Sequence, residues 1–254
     1  MSWDPAQYRR YEGHRLRPAI ELLQRVVIDD PTRVVDLGCG TGNSTALLAD
    51  RWPTARVVGV DNSTSMLDAA RADRPDLHWI HHDIATWAPD EAAEVIYSNA
   101  ALHWVDDHDE LLPRLVTQLG PDGILAFQVP DNFREPTHTL VGETALEGPW
   151  ADVLGPLLRS WSVRQPEEYT RLLGPHVDSV DAWRTTYVQR LHGNNPVAQW
   201  TKGSVLRPLL GALTSADADA FFAAYARRIA RAYPAEDDGT TLLPFSRVFV
   251  VARR

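Results

Sequence analysis

The sequence has 254 residues, of which 44% are hydrophobic and 23% are charged, a composition typical of a soluble globular protein. The formal net charge of −9 argues against nonspecific binding to nucleic acid, which requires a basic surface. Cys39 is the single cysteine, so no internal disulfide can form. Because the sequence shows no apolar signal segment and no run long enough for a membrane helix, we expect a cytoplasmic protein without membrane partners, and we expect it to be a monomer.

In chain order, the first element is a helix predicted over residues 5–27, where apolar residues recur at helical spacing after the cap-like pair Asp4 and Pro5. Short apolar runs then alternate with amphipathic stretches. These patterns predict strands at 33–37, 56–60, 77–80, 94–98 and 124–129, and helices at 43–51, 64–73 and 108–119. Such alternation is typical of a parallel sheet with right-handed crossovers.

The second half of the chain is less regular. Its patterns predict helices within 137–176 that are broken by Gly-Pro pairs, and a strand at 182–191. Further helices are predicted within 195–233, with Thr214 as a cap, and a turn at Gly239 and Pro244 precedes a last strand at 248–251. We interpret 131–181 and 190–241 as insertions that cover one end of the sheet, where doubly wound folds bind ligands.

The most informative segment is a strand that runs into closely spaced glycines. Asp36 lies near the end of the first predicted strand, and Gly38, Gly40 and Gly42 follow before a helix begins. Glycines allow the backbone to approach a ligand closely. At the end of the second predicted strand stands Asp61, a carboxylate that can accept the hydroxyls of a ribose. The pattern therefore predicts a site for a nucleoside-containing cofactor.

Two classes of cofactor could use this arrangement. A dinucleotide fingerprint has the spacing G-x-G-x-x-G, which places its third glycine at position 43, but the chain has Asn43 there. The observed spacing is G-x-G-x-G. A nicotinamide dehydrogenase is thus disfavoured.

The glycine run, followed by Asp61, Ser63 and Met66, resembles the cofactor motifs of class I S-adenosylmethionine-dependent methyltransferases. The resemblance implies that the glycine loop lies against the methionine part of the cofactor and that the acid after the second strand holds the ribose. It gives Asp83 the contact with the adenine amine, with Ile84 as an apolar partner of the base. The cofactor-binding residues it implies are Asp36, Gly38, Gly40, Gly42, Asn43, Asp61, Asn62, Met66, Asp83, Ile84 and Asn99.

The segment after the fourth strand lies beside the transferable methyl group in that family. Enzymes that methylate amino groups of nucleic acids usually carry an Asn/Asp-Pro-Pro-aromatic run there, and this chain does not. His103 and Trp104 in this segment either shape the substrate site or belong to the core, and both interpretations stay open.

A closer resemblance extends over nearly the whole chain. Several segments are similar to the trans-aconitate methyltransferases: Trp3-Asp4-Pro5, Gly13-His14-Arg15, Asn99-Ala100-Ala101-Leu102-His103-Trp104, Gln128-Val129-Pro130-Asp131-Asn132-Phe133, Trp183-Arg184-Thr185-Thr186-Tyr187 and Leu243-Pro244-Phe245-Ser246-Arg247. The similarity is weakest around 147–180. It implies monomethyl esterification of a small polycarboxylic acid such as trans-aconitate, with S-adenosylmethionine as cofactor.

This chemistry makes specific demands on the side chains. A carboxylate is already ionised at neutral pH, so we predict no catalytic residue, and in-line transfer depends on positioning. Arginines hold the other carboxylates through paired hydrogen bonds. The predicted substrate-binding residues are Tyr8, Tyr11, His14, Arg15, His103, Trp104, Arg134, His138, Arg184, Tyr187, Arg207 and Arg247, and we expect two or three of the last four arginines to reach the substrate.

Competing interpretations concern the chemistry more than the fold. Two alternatives stay open: a regulator that binds the cofactor without catalysis, and a methyltransferase for another polycarboxylate, a fatty acid or a small phenol. A metal site is not predicted, because the nearby histidines lack metal-ligand spacing: His78, His81, His82, His103 and His108.

The predicted fold class is α/β, with a doubly wound, Rossmann-like, seven-stranded, mostly parallel sheet and helical cover insertions. We predict one methyltransferase domain, 1–254. It comprises an N-terminal helical lid (1–30), a cofactor-binding core (31–130), a helical substrate cover (131–241) with an inserted strand near 182–191, and a final strand (242–254).

Overall fold

The computed structural model describes residues 12–254, and side chains from Leu16 onward. The helices of this part are α1 (Glu12–Arg25), α2 (Asn43–Arg51), α3 (Thr64–Asp73), α4 (His108–Thr117), α5 (Pro136–Glu147), α6 (Ala151–Leu154), α7 (Pro166–Leu173), α8 (Pro196–Lys202), α9 (Arg207–Gly211) and α10 (Ser215–Ala232). Its strands are β1 (Arg33–Leu37), β2 (Arg56–Asp61), β3 (His78–His81), β4 (Ala93–Asn99), β5 (Leu119–Pro130), β6 (Ser179–Leu191) and β7 (Thr241–Arg253).

The strands form one seven-stranded sheet in the order β3-β2-β1-β4-β5-β7-β6. The pairs β1–β2, β1–β4, β2–β3 and β4–β5 are parallel. The doubly wound, seven-stranded α/β fold predicted from the sequence is confirmed.

The strand order reverses between β1 and β4, because the chain runs outward through β2 and β3 before β4 returns beside β1. A crevice forms at such a point outside the carboxyl ends of the strands, and doubly wound folds bind their ligands there. The glycine loop follows β1 and Asn99 ends β4, so both flank this point.

The described chain divides into two compact units. The first contains the described residues up to Val129, together with Ser162–Thr185 and Val248–Arg254. Its core is built on the β-branched and aromatic residues of the strands, such as Val35, Ile96 and Phe127, which α4 covers with leucines. Tyr169 of α7 packs edge-on against Phe127, with ring centroids 5.2 Å apart.

The second unit comprises Pro130–Trp161 and Thr186–Arg247 and has a core of its own. Helices α5 and α10 form its centre, where Trp150 meets Phe221 edge-on at 5.3 Å. Tyr225, fully buried on α10, donates a hydrogen bond of 3.2 Å to the carbonyl of Thr137 at the start of α5. The buried hydroxyl of Tyr225 thus has a hydrogen-bond acceptor on the neighbouring helix.

The predicted elements agree closely with those observed in the first half of the chain. The predicted helix over 5–27 is observed as α1 in its described part, and its cap at Asp4 and Pro5 lies outside the described residues. Thr214 caps α10 as predicted, accepting a hydrogen bond from Asp217 N at 3.2 Å.

Three expectations are wrong in detail. Strand β5 begins at Leu119 rather than at 124, and α4 ends at Thr117 rather than at 119. The reason is that the Gly-Pro-Asp-Gly run at 120–123 continues the strand through an irregular register. Pro244 lies within β7 instead of marking a turn, since its fixed φ is compatible with extended backbone. Residues 158–165, expected to be helical, have no regular structure.

Candidate functional site

The glycine loop crosses from β1 to α2 over the end of β2. The amides of Gly38 and Cys39 both donate to the carbonyl of Val60, at 2.8 and 3.1 Å. The loop then turns on left-handed backbone, with φ of +77° at Gly38, +55° at Gly40 and +88° at Gly42. Residues other than glycine rarely adopt these angles, so the sequence spacing follows from the turn itself.

The three loop glycines face different surroundings. A Cβ on Gly38 would lie 2.1 Å from the Cβ of Ala101, and one on Gly42 would lie 2.5 Å from the indole of Trp79. A Cβ on Gly40 would meet no atom of the described residues within 4 Å. Gly38 and Gly42 are therefore required by packing, and Gly40 is the loop residue whose backbone is open to a ligand.

Asp61 links the glycine loop to the start of α3. One carboxylate oxygen accepts from the amide of Gly40 at 2.9 Å and the other from the amide of Ser63 at 2.8 Å. A carboxylate offers about four acceptor positions, so the half-buried group retains capacity for further donors. The next residue, Asn62, is exposed, whereas Met66 is buried on α3.

Asp36 is fully buried and accepts from the hydroxyls of Ser44 and Thr45 on α2, both at 2.7 Å. Burial raises the pKa of Asp36 to about 6, against the effect of the two hydroxyl bonds. Among the described residues, its second oxygen, Oδ1, has no hydrogen-bond partner. Asp36 therefore affects the loop indirectly, because it fixes the first turn of α2. Asn43, also predicted to contact the cofactor, is the first residue of α2 and partly exposed.

Asp83 and Ile84 begin the segment between β3 and β4. Asp83 is exposed and accepts from the amide of Ala85 at 2.9 Å. Ile84 is buried, and its side chain lies close to the glycine loop. A Cβ on Gly38 would be 3.2 Å from the Cδ1 atom of Ile84. The turn thus places an apolar side chain against the glycine loop and leaves a carboxylate at the surface next to it in sequence.

Asn99 ends β4 at the point where the strand order reverses. Its side-chain oxygen accepts from the buried amide of Gln128 on β5. The next residue, Ala100, has a φ of +55°, and its amide donates to the carbonyl of Gln128 at 3.0 Å. A left-handed alanine costs conformational energy that the surrounding structure has to offset.

His103 and Trp104 lie on a single 3-10 turn, Leu102–Trp104, with ring centroids 4.8 Å apart. His103 is buried, and Trp104 is about one-third exposed at 36%. The buried ring of His108 fixes this turn: its Nε2 donates to the carbonyl of Leu102 at 3.0 Å, and its Nδ1 lies 2.9 Å from the hydroxyl of Tyr169. Burial lowers the pKa of His108, which favours the neutral ring.

The predicted substrate residues of the second unit differ in environment. Arg247 is only 7% exposed, and its guanidinium lies 5.0 Å from the ring centroid of Phe245. Tyr187 is buried on β6, Arg207 is partly exposed at the start of α9, and Arg134 is exposed. A buried arginine is uncommon unless its charge has a partner.

His138 belongs to an aromatic cluster in the second unit. Phe133 stacks on Trp161 with ring centroids 4.3 Å apart, and His138 meets Phe133 edge-on at 5.0 Å. Burial lowers the pKa of His138 to about 4, so the ring is neutral at physiological pH. A neutral imidazole can donate a hydrogen bond without adding charge.

The remaining predicted residues lie in two places. Arg184 is exposed on β6 in the first unit, where its guanidinium donates to the side-chain oxygen of Gln165. Tyr8 and Tyr11 lie outside the described residues, and His14 and Arg15 are on α1, in the part for which only backbone is described.

The part of the chain from residue 12 onward contains no cluster of three or more His, Cys, Asp or Glu residues suited to a metal ion. Within the same residues, no helix is both long and apolar enough to cross a membrane.

Residues 34–123 match the family model described as a methyltransferase domain. Over the whole chain, the sequence is 48% identical to the trans-aconitate 2-methyltransferase of Variovorax paradoxus, with 100% of this chain and 99% of the relative covered. It is 48% identical to the enzyme of that name from Methylobacterium radiotolerans, covering 99% and 98%. The chain belongs to the trans-aconitate 2-methyltransferase family.

Solved structures support the same fold at low sequence identity. The YcgJ protein of Bacillus subtilis superimposes with a TM-score of 0.60 at 14% identity, covering 94% of this chain and 98% of that one. Phosphoethanolamine N-methyltransferase 2 of Haemonchus contortus, solved with S-adenosyl-L-methionine, gives 0.53 at 15% identity, covering 94% and 52%. The prediction that this trans-aconitate 2-methyltransferase family member uses S-adenosylmethionine is confirmed by its membership of that methyltransferase family.

The first unit of this family member fits that cofactor. Gly40 leaves its backbone open to a ligand, and its amide is held by the carboxylate of Asp61. Asp61 and Asp83 follow the carboxyl ends of two neighbouring parallel strands, so acceptors for hydroxyl and amino donors stand on one edge of the sheet. These carboxylate acceptors match the hydroxyl and amino donors of a nucleoside.

Sequence reasoning missed several residues of this site. Trp79 packs against Gly42 and Gly59, and its indole N–H donates to the carbonyl of Arg74 at 3.0 Å. Gln128 holds Asn99, and Arg114 holds the turn after Asp83. No local pattern signals these roles, because each depends on a contact with a residue distant in sequence or on another strand.

Proposed function

We propose that this enzyme transfers the methyl group of S-adenosylmethionine to one carboxylate of a small polycarboxylic acid, trans-aconitate, and forms its monomethyl ester. The full-length likeness to relatives named trans-aconitate 2-methyltransferase carries the proposal. That likeness extends over both compact units, including the irregular second half in which acceptor specificity resides. We also propose that both units serve this one activity.

The first unit holds the cofactor in this proposal. Gly40 presents its backbone to the methionine part, Asp61 accepts the ribose hydroxyls, and Asp83 accepts the adenine amine beside Ile84. Asp36 acts indirectly, since it is fully buried and bonds to Ser44 and Thr45. S-adenosylmethionine supplies an electrophilic methyl group, which passes to a carboxylate oxygen and leaves the thioether S-adenosylhomocysteine.

The acid requires no general base. Its attacking carboxylate has a pKa of about 4 and is ionised at neutral pH, so the protein has no proton to remove. Its residues instead orient the acid and exclude water, and correct orientation alone can supply several kcal/mol. This is why the proposal assigns no proton-transfer role to His103, His108 or His138.

Positive charge is required to hold the carboxylates that do not react. Arg247 is the best-supported anchor of the predicted arginines, because a guanidinium that is 7% exposed has given up most of its hydration and gains more from a carboxylate than an exposed one does. His138 is a neutral donor, as its lowered pKa of about 4 requires. Arg134 and Arg184 are exposed, which favours weaker contributions.

We further propose that the enzyme acts as a cytoplasmic monomer on small molecules and not on nucleic acid. The net charge of −9 supports the exclusion of nucleic acid. Size-exclusion chromatography with light scattering at several protein concentrations tests the monomer.

A methyl-transfer screen tests the substrate. The purified enzyme is incubated with S-adenosylmethionine that carries a labelled methyl group and with trans-aconitate, other tricarboxylates, dicarboxylates, a fatty acid or a small phenol. We expect label in a base-labile ester, with trans-aconitate the acceptor of highest kcat/KM, and labelling by Asp61→Ala enzyme that is lower by up to about a hundredfold at limiting S-adenosylmethionine. A base-stable product from the phenol, with no ester from any acid, contradicts the proposal.

A further inference from the structure

The segment between β3 and β4 has no strand or helix to hold it, yet it carries Asp83 and Ile84. It turns tightly at 83–86, where the amide of Thr86 donates to the carbonyl of Asp83 at 3.2 Å. The carbonyls that follow take no part in this bond and need other donors, since unpaired carbonyls are costly when shielded from water.

One side chain supplies those donors. The guanidinium of Arg114, on α4, donates to the carbonyls of Ile84 and Ala85, both at 2.9 Å, and to the carbonyl of Trp87. Trp87 is buried in the first core, as is Ile84. Arg114 is thus bonded to three carbonyls within four residues, and each bond is strengthened by its charge.

We propose that Arg114 is a positioning residue that determines the selectivity of this enzyme for the adenine base of its cofactor. Arg114 acts through the turn, whose conformation decides where the carboxylate of Asp83 stands. The inference rests on the proposed function in one respect, the role of Asp83 as acceptor of the adenine amine. A carboxylate held at a fixed position accepts from an amino group but repels a carbonyl oxygen in the same place.

The geometry explains why arginine is needed. Lysine keeps the charge of Arg114 but presents one compact ammonium instead of a planar fork with five N–H donors. It cannot bond to all three carbonyls in the observed arrangement. In Arg114→Lys the turn therefore gains freedom, and Asp83 can shift toward the ring N–H of a hypoxanthine base.

Calorimetric binding of two product analogues tests this without any acceptor acid. S-adenosylhomocysteine carries the amino group, and S-inosylhomocysteine carries a carbonyl in its place. We expect the wild type to bind the adenosyl compound at least about tenfold more tightly, the scale of a charge-assisted hydrogen bond. Arg114→Lys should reduce this ratio to about threefold or less, whereas Arg71→Lys, a change at an exposed ion pair with Asp68 on α3, should keep it.

A double-substitution cycle separates positioning from general loss of structure. In Asp83→Ala enzyme the ratio should already be low, and adding Arg114→Lys should change it by less than about twofold, since the effects of two residues that act through one carboxylate are not additive. Thermal unfolding monitors folding of each variant. Arg114→Gln provides a second variant, and it should lower the ratio as well.

Two results would overturn the inference in distinguishable ways. If the wild type binds both compounds equally, Asp83 does not read the base, and that part of the proposed function fails together with the inference. If the wild type discriminates and Asp83→Ala does not, but Arg114→Lys keeps the wild-type ratio, the inference alone is wrong. A failure to methylate trans-aconitate would contradict the proposed acceptor and would leave the measured binding ratios unchanged.

Discussion

Replacing Arg247 by methionine tests the electrostatic half of the proposed function. Methionine retains much of the apolar stem and removes only the guanidinium. Arg247 is 7% exposed and packs over the ring of Phe245 at 5.0 Å, so its charge is largely shielded from water. Losing a charge-assisted contact of this kind costs about 1.5–3 kcal/mol, which corresponds to roughly ten- to a hundredfold in binding.

The kinetic signature separates a substrate contact from a structural role. We expect the KM for trans-aconitate to rise about ten- to a hundredfold and the KM for S-adenosylmethionine to stay within about twofold, a pattern typical of lost substrate binding. Arg184→Met is the matched comparison, because Arg184 is exposed and bonds to Gln165. Its loss should change either constant by only a few-fold.

A substrate change sharpens the same test. Dicarboxylic analogues each lack one carboxylate of the tricarboxylate, and for the analogue that lacks the group bound by Arg247 the wild type and Arg247→Met should have similar kcat/KM. Thermal unfolding controls for loss of the contact with Phe245, worth about 0.5–2 kcal/mol. A folded Arg247→Met enzyme with an unchanged KM for every acid would show that Arg247 anchors no carboxylate.

Three further predictions concern the first unit. Asp61→Asn should weaken S-adenosylhomocysteine binding about tenfold and Asp61→Ala by up to about a hundredfold, and calorimetric affinities equal to wild type would remove Asp61 from the ribose role. Gly40→Val should abolish cofactor binding with modest loss of stability, whereas Gly42→Ala, whose Cβ would lie 2.5 Å from Trp79, should mainly lower the melting temperature; the reverse order contradicts our distinction between ligand space and packing. Because burial raises the folded-state pKa of Asp36 to about 6 from 3.8, its stabilising contribution is present below pH 4 and is lost as pH rises to 6, by up to about 3 kcal/mol. In urea unfolding, the free energy of unfolding of Asp36→Asn relative to wild type should be higher at pH 7 than at pH 4 by that amount. A difference between the two proteins that does not change with pH would disprove the shift.

The alternation of strands and helices up to Gln128 was predictable, because each element there has its own periodic pattern. Residues 119–123 were not, since the Gly-Pro-Asp-Gly run has the composition of a turn and is nevertheless continuous with β5. Residues 158–165 were predicted to be helical and have no regular structure. Local patterns cannot report pairing with a distant strand, and such pairing decides the structure of residues 119–123.

The candidate site divides in the same way. The loop glycines and Asp61 could be found from spacing, since a tight turn and a strand end impose local requirements. Arg114 could not, because on α4 it has the spacing of an exposed helical residue, and its partners lie 27 to 30 positions away. The difference in burial between Arg247 and Arg184 also became known only from the structure, because the sequence gives no sign that one is buried and the other exposed.

The three acids at successive strand ends show what burial adds to a sequence motif. Asp36, Asp61 and Asp83 carry the same functional group, yet they are buried, half-buried and exposed in that order. Asp36 accepts hydrogen bonds from two hydroxyls of α2. Asp61 accepts from the amides of Gly40 and Ser63, and Asp83 accepts from one nearby amide, that of Ala85. Removing a buried acceptor leaves its partners unsatisfied, whereas removing an exposed one mainly removes ligand contacts. The effect of substitution should therefore shift from stability to cofactor affinity along the series, with Asp61 affecting both. We therefore expect a graded arrangement, in which the innermost of the three acids shapes the loop and the outermost contacts the cofactor.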